Sequence, residues 1–314
     1  MDMKAKASIK LIRGAHSLID TFALVVILLL LAFGSYAMWD SNQIHTAASS
    51  AQYEIYKPTA ESASFEDLQK INPDVFAWLT VYGTNIDYPV VQGQDNMRYV
   101  NTNASGRNSL SGAIFKDYRN SPNFADFNSI LYGHHMEHSV MFGEIGNFLE
   151  KDYFNARRYG MLFFEGREHG IEFFAFIHAD ANDARIFRPG VTGTGAKQTY
   201  LDFIYDTAIH LREDVSVTVN DRIVLLSTCS SESTNGRDIL IAKIIENVPE
   251  DPFAVEYADE EVVFATFVTG ELQSLGVKGL LIVSIMVTLL MLLLVVLGTT
   301  AYNGIRKKCR GARS

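Results

Sequence analysis

The run Arg222-Ile223-Val224-Leu225-Leu226-Ser227-Thr228-Cys229 reads as a buried apolar strand that delivers one thiol at its carboxyl end, and Arg237 follows eight residues later. Between them, Ser230 to Gly236 is polar and rich in turn formers. Arg237 opens a second apolar run, Ile239-Leu240-Ile241-Ala242 with Ile244 and Ile245. Two such strands joined by a loop put the thiol and the guanidinium at one sheet edge. A thiol becomes a nucleophile as its thiolate, which nearby positive charge favours, and acyl transfer needs a donor aimed at the developing oxyanion. Arg237 suits either need. The same residues also read as a buried structural cysteine beside a surface arginine.

A nucleophilic thiol needs a base. His134 follows another apolar run, Asn128-Ser129-Ile130-Leu131-Tyr132-Gly133, and the glycine allows a tight turn there. His134 and His135 are adjacent, so on extended chain they point opposite ways, and one of them at most faces the thiol. Each also reads as a surface or hydrogen-bonded histidine. His134, His135 and His138 raise the question of a metal, but no acid or cysteine completes the usual zinc spacing. No metal and no cofactor are expected.

The elements that must position these residues are mostly short strands. Phe65 to Ile71 has helical spacing and stops at Asn72-Pro73. Strands are expected at Phe76–Val81, Ile86–Gln92, Gly112–Phe115 and Asn128–Tyr132. Met141 to Leu149 has helical spacing, and Tyr159–Phe164 and Ile171–Phe176 form a hairpin through Gly166 to Gly170. Leu201, Ile204, Tyr205, Ala208 and Leu211 repeat as an amphipathic helix over Lys197 to Leu211, just before the cysteine strand. Short strands with a few inserted helices imply a β-barrel or sandwich, not a βαβ fold.

The chain has 314 residues, 48% of them hydrophobic, and two segments stand apart from the globular part. Phe22 to Met38 is nearly or fully long enough to span a bilayer as a helix, and Gly279 to Tyr302 is long, apolar and uncharged. Lys4, Lys6, Lys10 and Arg13 precede the first; Arg306, Lys307, Lys308, Arg310 and Arg313 follow the second. The positive-inside rule puts both termini in the cytoplasm and the middle outside. Ser35-Tyr36-Ala37 also fits a cleavage site, so a removable signal peptide is the rival for the first segment. The expected division is 1–39 for tail and first span, 40–64 for a polar stalk, 65–248 for the catalytic body, 249–277 for an acidic linker, and 278–314 for the second span and basic tail.

Residues 1–39 hold four Lys/Arg and two Asp, and residues 278–314 hold six Lys/Arg and no acid. That leaves 17 basic against 34 acidic side chains in 40–277, a net charge of −17. Such a body is a poor nucleic-acid binder. Of the two cysteines, Cys309 lies beyond the second span, which leaves Cys229 alone outside, where a disulfide framework would need an even number.

Leu226-Ser227-Thr228-Cys229 with Arg237, preceded by Tyr132-Gly133-His134, resembles the sortases of Gram-positive bacteria, class B in particular. Asp87–Gln92, Asp95–Tyr99, Gly112–Tyr118 and the amphipathic helix before the cysteine strand add to it, and the likeness covers roughly residues 65–248. It implies a mainly β fold, a closed eight-stranded antiparallel barrel with inserted helices, flanked here by two transmembrane helices. It implies a cysteine transpeptidase that cleaves an LPxTG-like sorting signal after Thr. Cys229 would form a thioacyl-enzyme, His134 would act as acid and base, and Arg237 would hold the oxyanion or the signal. Ser227 and Thr228 match positions lining the substrate groove, and Asn96 is a weaker match; Ser230 stands where some relatives have an acid. A carboxyl-terminal span is similar to pilin-polymerising sortases, so the expected acceptor is a pilin lysine, with a peptidoglycan cross-bridge amine as the other case. Hydrolysis by a cysteine endopeptidase, or a non-enzymatic surface adhesion or sensor domain, are the alternative readings.

Overall fold

A computed structural model describes residues 3–58, 64–137, 139–229 and 235–254, so the expected second span and basic tail lie outside the described residues. Helices are α1 (Met3–Ala48), α2 (Ser64–Ile71), α3 (Lys151–Ala156) and α4 (Thr194–Thr207). Strands are β1 (Val75–Val81), β2 (Asp87–Val91), β3 (Ile114–Lys116), β4 (Asn128–Tyr132), β5 (Tyr159–Phe164), β6 (Arg167–Asp180), β7 (Ala208–Leu211), β8 (Ile223–Cys229) and β9 (Gly236–Ile245). The chain divides into two units, one of them Asn42–Ala254. In the other, Leu18–Asp40 is a 23-residue stretch of α1 long and apolar enough to cross a membrane, with none of it buried.

In the Asn42–Ala254 unit the sheet order is β5-β1-β2-β3-β4-β8-β9-β6, and β5 pairs again with β6, which closes an eight-stranded barrel. The expectation of a purely antiparallel barrel needs one correction. The β2–β3 and β4–β8 ladders are parallel and the other junctions antiparallel, so the barrel is mixed. Both faces of the wall are covered. Val224, Leu226, Leu240 and Ala242 belong to one core cluster, while Ile223, Leu225, Ile239 and Ile241 belong to a second, with Tyr200, Leu201 and Ile204 of α4. Burial on both sides is why β8 reads as an unbroken apolar run.

Four local expectations change. The helix expected through Leu211 ends at Thr207, and Ala208–Leu211 becomes β7. β6 outlasts β5, and β7 takes up the edge that β5 leaves free, pairing Phe176 with His210. A helix cannot begin at Met141, because Ser139 and Met141 have φ of +57° and +54°; a 3-10 turn covers Ile145–Leu149, and α3 follows. The β5–β6 turn is only Glu165-Gly166, both with positive φ, the geometry that matches strand twist. Finally, Ala48 and Tyr53 of the segment read as a stalk are buried in the barrel's core cluster.

Candidate active site

The site is set by two rungs of sheet. Cys229 is the last residue of β8 and lies opposite Arg237 in the antiparallel ladder with β9; Thr228 lies opposite Asp238 and Ser227 opposite Ile239. On the other side, β4 runs parallel to β8 with Tyr132 beside Ser227, and the Gly133 N–H donates to the Ser227 carbonyl at 3.2 Å. His134 therefore leaves β4 at the level where Cys229 ends β8. Antiparallel and parallel neighbours bring arginine and histidine to the same end of the cysteine strand.

Gly133 is needed for packing. A Cβ there would sit 2.6 Å from Ile114 Cδ1 and 2.7 Å from the Phe142 ring. The His134 ring is half-buried, and its Nε2 pairs with the Val100 carbonyl oxygen at 2.8 Å. A carbonyl only accepts, so Nε2 carries the proton. His135 goes elsewhere: its backbone bridges to Met141, and its Nδ1 is buried without a hydrogen bond. His138 lies outside the described residues. Arg237 is half-buried, with Nη1 donating to the Gly236 carbonyl at 2.9 Å, and it has no carboxylate partner among the described residues. Among the described residues, its charge is thus not consumed by an ion pair.

Ser227 and Thr228 are each 2% exposed, and neither hydroxyl has a hydrogen bond among the described residues. Asn96 is half-buried and tied to the neighbouring loop: its amide donates to Asp117 Oδ2 at 3.0 Å, and its carbonyl accepts from the Tyr118 N–H at 3.0 Å. One N–H and one lone pair remain for another partner.

Asp117, which lies in the Gly112–Tyr118 segment, ties these segments together. Its side chain is fully buried. Oδ1 accepts from the Arg119 N–H and Nε, and Oδ2 accepts from Arg119 Nη2, Asn96 and the Tyr132 hydroxyl. Burial pushes this carboxyl up, but the Arg119 and Asn96 donors outweigh it and hold it below its ordinary range. Burial, then the Asp117 charge, pushes the Tyr132 hydroxyl well up, so it stays a donor. An acid directly after a short strand was the only sequence signal for this hub. The second missed pair is Asp238, next to Arg237, whose Oδ1 lies 3.0 Å from His178 Nδ1.

No family model matches the chain. Sortase B of Listeria monocytogenes is 34% identical over 181 residues, 57% of this chain and 73% of the relative. A sortase B crystal structure from the type II pilus of Streptococcus pneumoniae is 46% identical, covering 58% of this chain and 99% of that one, with a TM-score of 0.52. A class B sortase of Streptococcus pyogenes involved in pilus biogenesis is 42% identical, covering 58% and 98%, with a TM-score of 0.53. A closed, mixed, eight-stranded barrel is the fold of the sortases, and the chain belongs to their class B. It is a cysteine transpeptidase that acts on sorting signals.

Proposed function

We propose that this chain is a membrane-anchored transpeptidase that cleaves an LPxTG-like signal after Thr and passes the acyl group to a pilin lysine. The observation that carries the reading is the register: Cys229 opposite Arg237, with His134 leaving the parallel neighbour at the same level. The Cys229 thiolate attacks the Thr carbonyl carbon, and the oxyanion forms where Arg237, free of a carboxylate among the described residues, donates to it. The C–N bond to glycine breaks as His134 gives that nitrogen a proton, leaving a thioester. The acceptor amine then attacks, returns a proton to His134 and expels the Cys229 thiolate. Ser227, Thr228 and Asn96 are assigned to the signal peptide, with Ser227 and Thr228 uncovered when it binds.

The lysine acceptor is favoured by the second apolar segment of the sequence and by likeness to the two pilus-linked structures. The apolar stretch Leu18–Asp40, with basic residues before it, serves as anchor and leaves the barrel outside the cell.

The test incubates the protein with an LPxTG-type peptide, with and without a pilin-lysine peptide or a glycine-amine acceptor, and reads Cys229 by mass spectrometry. A thioacyl adduct that passes to the lysine amine is expected. Transfer only to the glycine amine reassigns the enzyme to wall anchoring, and hydrolysis alone makes it an endopeptidase. No adduct with any sorting peptide overturns the reading.

A further inference from the structure

The Val100 carbonyl that holds His134 reaches its place through a contact only glycine permits. Gly112 has φ +59°, and a Cβ there would lie 2.5 Å from the Tyr99 carbonyl oxygen and 2.6 Å from that of Val100. Both are backbone atoms, so the clash cannot be relieved by turning a side chain. Backbone bonds hold the segment in place: the Gly112 N–H donates to Ser109 O at 3.1 Å and the Ala113 N–H to Tyr99 O at 3.0 Å. The Val100 oxygen is the acceptor of the 2.8 Å bond from His134 Nε2. With Nε2 protonated, Nδ1 is the ring's basic atom.

We propose that Gly112 is a positioning residue for the transpeptidation. By admitting the Val100 carbonyl, it fixes His134 as the Nε2–H tautomer and makes Nδ1 the atom that moves protons. This rests on the reading of His134 as the acid–base group. In the charged ring, Nε2–H stays on Val100 while the Nδ1 proton goes to the departing glycine amine as the C–N bond breaks. Nδ1 then takes the proton that the attacking amine releases.

Gly106 supplies a control in the same loop region. Its φ is +77°, so alanine is strained there too, yet a Cβ would meet nothing closer than Asn72 at 4.0 Å. The experiment uses the detergent-solubilised full chain with ¹⁵N-labelled histidine, His134 being assigned by comparison with His134→Gln. Ring nitrogen shifts at alkaline pH report the tautomer, and turnover of an LPxTG-type peptide is measured in parallel. The wild type and Gly106→Ala should show Nε2–H alone. Gly112→Ala should show a mixture of tautomers and at least a tenfold loss of turnover that Gly106→Ala lacks. A wild-type rate in Gly112→Ala, or an unmixed Nε2–H signal in it, overturns the inference. So does an Nδ1–H signal in the wild type, which decides the matter even if Gly112→Ala does not fold. Full turnover by His134→Gln would instead remove the acid–base reading itself.

Discussion

Arg237 stands at the one position of β9 directly across from the proposed nucleophile, and its fork is committed only to the neighbouring Gly236 carbonyl among the described residues. A planar fork can meet an oxyanion and a peptide carbonyl together in one fixed geometry, which the compact, freely rotating lysine ammonium does not reproduce. Arg237→Lys should therefore lose about 10²-fold in kcat with an unchanged melting temperature; near wild-type turnover would reduce Arg237 to a surface charge. His134→Ala should cost about 10²–10⁴-fold in rate, whereas His135→Ala should be far milder, because the His135 backbone is bridged to Met141 and its Nδ1 is buried with no hydrogen bond among the described residues. The reverse ranking would reassign the imidazole. The types and spacing of Cys229, Arg237 and His134 were legible in the sequence because each ends or begins an apolar run. What spacing could not show was the Nε2 bond to Val100, which depends on a loop folded back from distant residues.

At the level of elements, the catalytic edge is fastened by the Asp117 hub, which joins the Asn96 loop, the turn after β3 and the end of β4. Because its folded pKa is depressed below the unfolded value, the fold binds fewer protons there than the unfolded chain. Its stabilisation is present above the ordinary aspartate range and is lost as pH falls through the folded value. Asp117→Asn should cost about 2 kcal/mol at neutral pH, since the buried charged acceptor of the Arg119, Asn96 and Tyr132 donors is removed while Arg119 itself stays half-exposed to water. It should also flatten the acid limb of an unfolding titration; an acid limb identical to the wild type would show that the hub is not what titrates. β1, β4, β8 and β9 were readable because each is a run of apolar side chains with polar punctuation. β7 was not, since Ala208 and Leu211 continue the helical period of α4 by coincidence, and only the free edge of β6 selects strand. The parallel ladders were equally hidden, because pairing direction leaves no trace in local composition.

For the whole molecule, the Asn42–Ala254 unit contains the barrel and the residues assigned to chemistry, while the apolar stretch Leu18–Asp40 belongs to the other unit. A chain restricted to Asn42–Ala254 should unfold cooperatively and cleave peptide undiminished, while the full chain should fractionate with membranes. Aggregation of the short chain would mean that the core needs more than this unit. The acidic charge was plain from counting residues, but the burial of Ala48 and Tyr53 was not, because a polar, alanine-rich stretch gives no sign of docking.

The parallel pairing of β4 with β8 has a consequence in time. It joins segments far apart in the sequence, with β5, β6, α4 and β7 between them. Contacts of such long sequence separation carry a large closure entropy and tend to form late. The histidine and the cysteine therefore meet only when the barrel shuts. On the proposed roles of Cys229 and His134, a newly made or partly unfolded chain would have a thiol without its base beside it, and its reactivity towards stray peptides would be withheld until folding is complete.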